Sequence, residues 1–195
     1  MEKKSKIAIG VILGVLVLAG VGVIAGCGGG GGSQEPTAPA AVTPTLPAVS
    51  DGLPPDPGAS GKLTLAGIDS DADGVRDDIQ RYIALNHPDS AKERAALTQD
   101  AKVMQSALLD ANDKAKSVQH GEEASKSSEC LWYTFGSVDI AYQAEISLRA
   151  VALNTDERNR AYFLYDSQLG GEVFKGTPYD QLASTCAVDP ATLPN

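Results

Sequence analysis

Between Asp69 and Gln80 acidic side chains recur at every second position, as Asp69, Asp71 and Asp73, with Gly74 directly after the third and Asp77 shortly beyond. Carboxylates spaced in this way can converge on one cation if the chain turns sharply after them, which glycine permits. The ion suited to such a set of hard oxygen donors is Ca2+. Asp69, Asp71 and Asp73 take loop positions one, three and five. Val75 at seven offers its carbonyl, Asp77 at nine binds directly or through a water, and Gln80 closes the loop at twelve. Without a cation, this many carboxylates in one turn repel one another. The competing reading is a solvated acidic turn that caps a helix, since acids also favour a helix start.

Elsewhere the residues point away from the common chemistries. No serine stands in G-x-S-x-G, no H-E-x-x-H occurs, and no phosphate-cradling glycine loop precedes a helix. No catalytic residue is assigned. His120-Gly121-Glu122-Glu123 could hold a metal weakly but lies in a stretch read as a polar turn, without a third patterned ligand. Glu145 and Arg149 are one helical turn apart, with Asp139 upstream, and read as an internal ion pair rather than an acid/base couple.

The acidic loop resembles the EF-hand-like loops of thrombospondin type 3 repeats, whose recurring core is D-x-D-x-D-G-V-x-D. The likeness covers about a dozen residues and there is no second copy. Arg76 at position eight replaces the aliphatic residue of a true EF-hand, and Gln80 replaces the bidentate acid at twelve.

The elements that must position this loop follow from the rest of the 195 residues. Residues 1–26 read as an export leader: a basic start, then an uninterrupted apolar run from Ile7 to Ala25. Its end, Ile24-Ala25-Gly26-Cys27, resembles the bacterial lipobox, which implies that Cys27 is lipidated and becomes the mature N-terminus. An uncleaved transmembrane anchor is the competing reading, since the run nearly spans a bilayer; either way the remainder is exported. Gly28 follows the cysteine where an aspartate would signal inner-membrane retention, so the expected address is the outer membrane, facing the periplasm. Residues 27–61 are rich in Gly and then Pro, Ala and Thr, and read as an unpacked tether. The formal charge of −9, with the leader's lysines counted in, argues against nucleic acid as a partner.

Residues 62–187 read as one all-α domain, a small helical bundle preceded by the calcium loop, with 188–195 as a fraying tail. Ile79, Tyr82 and Ile83 share one face of a short helix that stops at Asn86-His87-Pro88. Ser90 with Glu93 reads as a capping box. A seam of Leu97, Ala101, Met104, Leu108, Ala111, Ala115 and Val118 predicts one long helix after it. His120 to Ser128 reads as a polar turn, and Cys130 to Leu153 as the central helix, with Trp132, Tyr133 and Phe135 as core aromatics. Asn154 with Glu157 starts another helix, carrying a stripe of Ala161, Tyr162, Tyr165 and Leu169 up to Gly170-Gly171. Thr177-Pro178 opens a short last helix to Cys186.

With Cys27 assigned to lipid, Cys130 and Cys186 remain, and in an exported protein they are expected to form a disulfide. The order of leader, lipobox, proline-rich tether, single acidic loop and two-cysteine helical domain resembles a group of bacterial envelope lipoproteins. The stretch Leu153-Asn154-Thr155-Asp156-Glu157-Arg158 is similar to a recurring part of that group. The resemblance supports this membrane-anchored architecture and carries no activity, while the short, alanine-rich seam reads as intramolecular and the protein as a monomer. The expected function is a non-enzymatic, calcium-stabilised domain that binds another envelope component. The alternative is an envelope hydrolase or its accessory with an unrecognised site.

Overall fold

The computed structural model describes residues 52–195; the leader, Cys27 and the tether up to residue 51 lie outside the described residues. Five α-helices follow the acidic loop: α1 (Asp77–Asn86), α2 (Ala91–Leu109), α3 (Lys114–Phe135), α4 (Val138–Ala152) and α5 (Asp156–Gln168). Short 3-10 segments lie at Gly58–Lys62, Tyr179–Thr185 and Pro190–Thr192, and no strand occurs among the described residues. The chain is an all-α bundle. None of these helices is long and apolar enough to cross a membrane.

Caps explain most of the boundaries. The side chains of Ser90, Asp113, Ser137 and Thr155 each accept from the amide three residues on, at the starts of α2 to α5. The capping box at Ser90 is only half formed, because the Glu93 carboxylate turns to His87 Nδ1 at 2.8 Å. At α5 the cap is Thr155 rather than Asn154, whose side chain is committed elsewhere.

Two expected long helices are each broken. The seam running through Ala111 to Val118 is interrupted at residues 110–113, where Asp110, Asn112 and Asp113 favour local turn bonds over helix. Ala111 is still buried, so the apolar spacing persists across a chain reversal and mimics one continuous face. The stretch expected to turn, His120 to Ser128, is instead the middle of α3. Gly121 is there for closeness: a Cβ on it would meet Phe174 Cζ at 2.5 Å. The true break comes at Gly136, left-handed at φ 65°, followed at once by the cap Ser137. Neither the single helix 130–153 nor the loose turn before it exists.

The pairs Asp100–Ser127, between α2 and α3, and Ser128–Glu145, between α3 and α4, fit antiparallel neighbours. Their shared core is built on Leu97, Leu131 and Leu148, with Val75, Ile79 and Ile83 brought in by the loop and α1. A second cluster joins Ala107 and Ala111 to Tyr165, with Ala161, Tyr162 and Leu169 of the expected α5 stripe against it. Cys130 and Cys186 are disulfide-bonded, with Cα atoms 4.9 Å apart, tying the end of the Tyr179–Thr185 segment to α3.

Both ends of the domain are better packed than their composition suggests. Pro54 is buried and its carbonyl accepts from Arg81 Nη1 at 2.9 Å, so the linker's last prolines belong to the fold. Pro190 is buried too, and the Pro194 carbonyl accepts the Ala91 amide at 3.1 Å. The tail therefore docks on the start of α2 rather than fraying. Two expected core aromatics turn outward: Trp132 is 38 % exposed and Tyr133 44 %, while Phe135 packs on the core and against His87.

Candidate metal centre

The loop is drawn together by its own amides. Asp69 accepts from the Asp73 and Gly74 amides at 3.2 and 2.9 Å, and Asp73 Oδ1 accepts from Val75 at 2.7 Å. Asp77, buried at the first turn of α1, reaches back to the Ser70 amide at 2.8 Å. Gly74 has φ 89°, the turn its type permits, and Ala72 has φ 57°, a left-handed geometry that costs an alanine about 1 kcal/mol. The chain is thus held closed by hydrogen bonds whose acceptors are carboxylates.

Of the expected ligands, Asp69, Asp71 and Asp77 each offer an oxygen within 4.8 Å of the others. Three carboxylates at this separation suit a hard divalent ion. Asp73 is not in that set; besides capping Val75 it faces Lys102 Nζ at 3.9 Å. The Val75 side chain is buried in the core, which fixes the backbone at position seven. Gln80 lies at the site but donates through Nε2 to Asp71 Oδ2 at 3.0 Å, while its Oε1 is buried without a partner. That hydrogen bond, foremost, holds the Asp71 carboxyl below its ordinary range.

Behind the loop lies a feature the sequence reading did not find. Arg76, noted only as a departure at position eight, is buried and makes two bonds to Asp78, at 2.9 and 3.0 Å, plus one to the Ala152 carbonyl at 3.0 Å. Arg158 is fully buried at the first turn of α5 and donates to the carbonyls of Gly61, Thr64 and Leu65. Asn154 closes the network by accepting from Arg158 and donating to Asp78 Oδ2 at 3.1 Å. Burial pushes the Asp78 carboxyl up, but the Arg76 guanidinium and Asn154 outweigh it and hold the group low. Gly67, at φ 71°, passes so close that a Cβ would meet Arg76 Cδ at 2.5 Å and Arg158 Nη2 at 2.8 Å. The two arginines fasten the incoming chain, the loop and the α4–α5 corner to one another.

The other sequence candidates resolve differently. His120 is not in a turn; it is buried in α3 with Nε2 3.0 Å from Asp110 and Nδ1 3.0 Å from Glu123. Its two nitrogens face opposite carboxylates, the arrangement of a sandwiched imidazolium rather than a metal ligand. Burial pushes the His120 pKa down, but the bonds to Glu123 and Asp110 outweigh it and raise it. Glu145 and Arg149 do pair, at 2.6 Å, whereas Asp139 is exposed at the start of α4.

No family model matches the chain, and no curated protein or solved structure matches it either.

Proposed function

We propose that the chain is a bacterial envelope lipoprotein, anchored through lipidated Cys27, whose calcium-clamped helical domain binds another envelope protein without catalysing a reaction. The observation that carries the binding reading is the apolar surface where α3 meets α4. Trp132, Tyr133, Val138 and Tyr142 are exposed there, and Tyr179 of the neighbouring 3-10 segment is 91 % exposed. Aromatic side chains give large contact area at low entropic cost and concentrate binding energy at interfaces. Asp139 and Asp180 lie exposed in the segments that carry the patch, so the partner surface that fits is apolar at its centre and basic at its margin.

The calcium reading rests on the convergence of Asp69, Asp71 and Asp77 together with the loop spacing. Asp73, the Val75 carbonyl and Gln80 complete the proposed set. Clamping this loop stiffens the point where the tether enters the domain, because the same segment is held by Arg76 and Arg158.

The test is crosslinking in intact bacterial envelopes with a photoreactive residue at position 133 or 142. One dominant crosslinked protein, lost on Trp132→Asp in a chain that still folds, supports the reading. A diffuse smear unaffected by that substitution overturns it, as does a free, unlipidated Cys27 in the mature chain.

A further inference from the structure

Between α2, α3, α4 and α5 lies a cleft of about 140 Å³, partly open to solvent, that has no part in the acidic loop or the aromatic patch. Asp100 of α2 lines it, 5 % exposed, with Oδ1 accepting from Ser127 Oγ at 2.9 Å and Oδ2 without any partner. A buried carboxylate oxygen left unbonded is costly, and because Asp100 lines the cavity, a donor lodged beside it needs only a small shift of the carboxylate to satisfy that atom.

The other groups around the cavity define that donor. Glu145 and Arg149 of α4 line it as a pair at 2.6 Å, with Glu145 also accepting from Ser128 and Arg149 lying 5.7 Å over the Tyr162 ring. Arg149 is therefore already engaged, and Asp100 and Asp166 leave the lining with an excess of negative charge. Tyr162 and Tyr165 present aromatic surface, and Met104, Ala107 and Leu169 supply apolar wall. Burial pushes the Tyr165 hydroxyl up to about 12, so the phenol stays neutral. Carboxylate, aromatic face and apolar wall together are the features that select an organic cation over a neutral or anionic molecule. The volume is several times what one water needs, and small for anything beyond a short chain.

We propose that this cavity binds a small primary ammonium compound, its NH3+ donating to Asp100 Oδ2 and its short apolar body lying against Tyr162, Tyr165 and Met104. The ammonium supplies the donor that Asp100 lacks, and its charge offsets the two carboxylates that Arg149 alone cannot balance.

The test uses the full chain and butylammonium as the probe, with butanol and butyrate as neutral and anionic counterparts of the same size. Saturation-transfer NMR is expected to show butylammonium contacting tyrosine protons, with at least tenfold tighter binding than either counterpart. Asp100→Asn, which keeps the shape, is expected to weaken it at least tenfold, and Glu145→Gln to weaken it less. Equal binding of butanol and butylammonium in the wild type overturns the proposal without any variant. So does binding that both substitutions leave unchanged, which would place the cation on the acidic surface, and so does the absence of transfer at all concentrations, which would leave the cavity to water.

Discussion

Arg76 and Arg158 share one carboxylate: Arg76 grips Asp78 directly with two nitrogens, whereas Arg158 reaches it only through Asn154. Two buried guanidinium groups beside a single acid leave an excess of positive charge. Backbone carbonyls of Gly61, Thr64, Leu65 and Ala152 absorb it, since each is a dipole with its oxygen toward a donor. The arrangement ties the run from Gly61 to Leu65 into the fold, giving donors to the Gly61 and Leu65 carbonyls and a second donor to that of Thr64, which also accepts the Gly67 amide.

Arg158→Leu is therefore expected to destabilise the domain by about 3–5 kcal/mol, the range for breaking a buried charged network by removing one partner. Gly67→Ala is expected to cost about 1–3 kcal/mol, because φ 71° disfavours alanine and the added carbon collides with both arginines. Urea denaturation of the full chain in detergent measures both. An unaltered midpoint for Arg158→Leu would mean that the incoming segment is not held by this residue.

This clamp also shows what was legible beforehand. The acidic cluster could be read because it is local, encoded in spacing within a dozen residues. Arg158 could not, since the backbone carbonyls it holds lie more than ninety positions upstream. The one local hint was Arg76, a charged residue where the loop pattern calls for an aliphatic one. The helical class is readable from periodicity, but the breaks at residues 110–113 and Gly136 are masked by apolar spacing that runs on across them. Ala111 stays buried through the reversal, and Gly121, the more conspicuous glycine, serves close packing inside α3. Trp132 and Tyr133 read as core from their aromatic character, which does not tell a buried face from an exposed one.

Stability should fall as pH rises from about 4 through about 6, and again as pH passes the raised value of His120. Asp100 is pushed from 3.8 up to about 6, chiefly by burial and then by Glu145, with Ser127 and Arg149 opposing. The folded state thus holds its proton more tightly than the unfolded chain, so the contribution is full below pH 3.8 and lost through about 6. Two units correspond to about 3 kcal/mol. His120, raised by Glu123 and Asp110 against its own burial, adds stability below its ordinary value of 6.5 that is lost as pH passes its folded value. Asp100→Asn is accordingly expected to stabilise the chain at pH 7.5, and to do nothing at pH 3.5. Denaturation midpoints across that range check it, and a destabilised Asn variant at pH 7.5 would contradict the assignment.

Reducing the Cys130–Cys186 bond opens a loop of 56-residue separation, which in the chain-entropy account is worth roughly 4 kcal/mol. A Cys130→Ala, Cys186→Ala pair is expected to lower the melting temperature while preserving helix content, because Leu97, Leu131 and Leu148 form the core without the bond. Circular dichroism of the oxidised, reduced and double-variant chains distinguishes this from collapse of the bundle.

The loop itself is expected to bind calcium as a structural clamp, with a dissociation constant on the order of 10⁻⁵ to 10⁻³ M, because position twelve lacks its bidentate acid. Only the folded chain offers Asp69, Asp71 and Asp77 together, so millimolar calcium should raise the melting temperature, and Asp71→Ala should abolish the rise while the bundle stays folded. Gln80 provides the sharper test. Its Nε2 donates to Asp71 and its Oε1 is buried without a partner; once a cation neutralises Asp71, a half-turn of the amide brings that oxygen to the ion. Gln80→Glu would then supply the missing charge and a second oxygen, tightening calcium binding by tenfold or more. The same substitution should weaken the calcium-free chain, because a further acid replaces the side-chain amide that, together with the Asp73 backbone amide, donates to Asp71. Calorimetry with calcium, magnesium and chelator on wild type, Asp71→Ala and Gln80→Glu decides between the outcomes. If Gln80→Glu leaves calcium affinity unchanged, position twelve is not a ligand; if none of the three chains gives a calcium-specific heat, the loop is an acidic cap on α1 and nothing more.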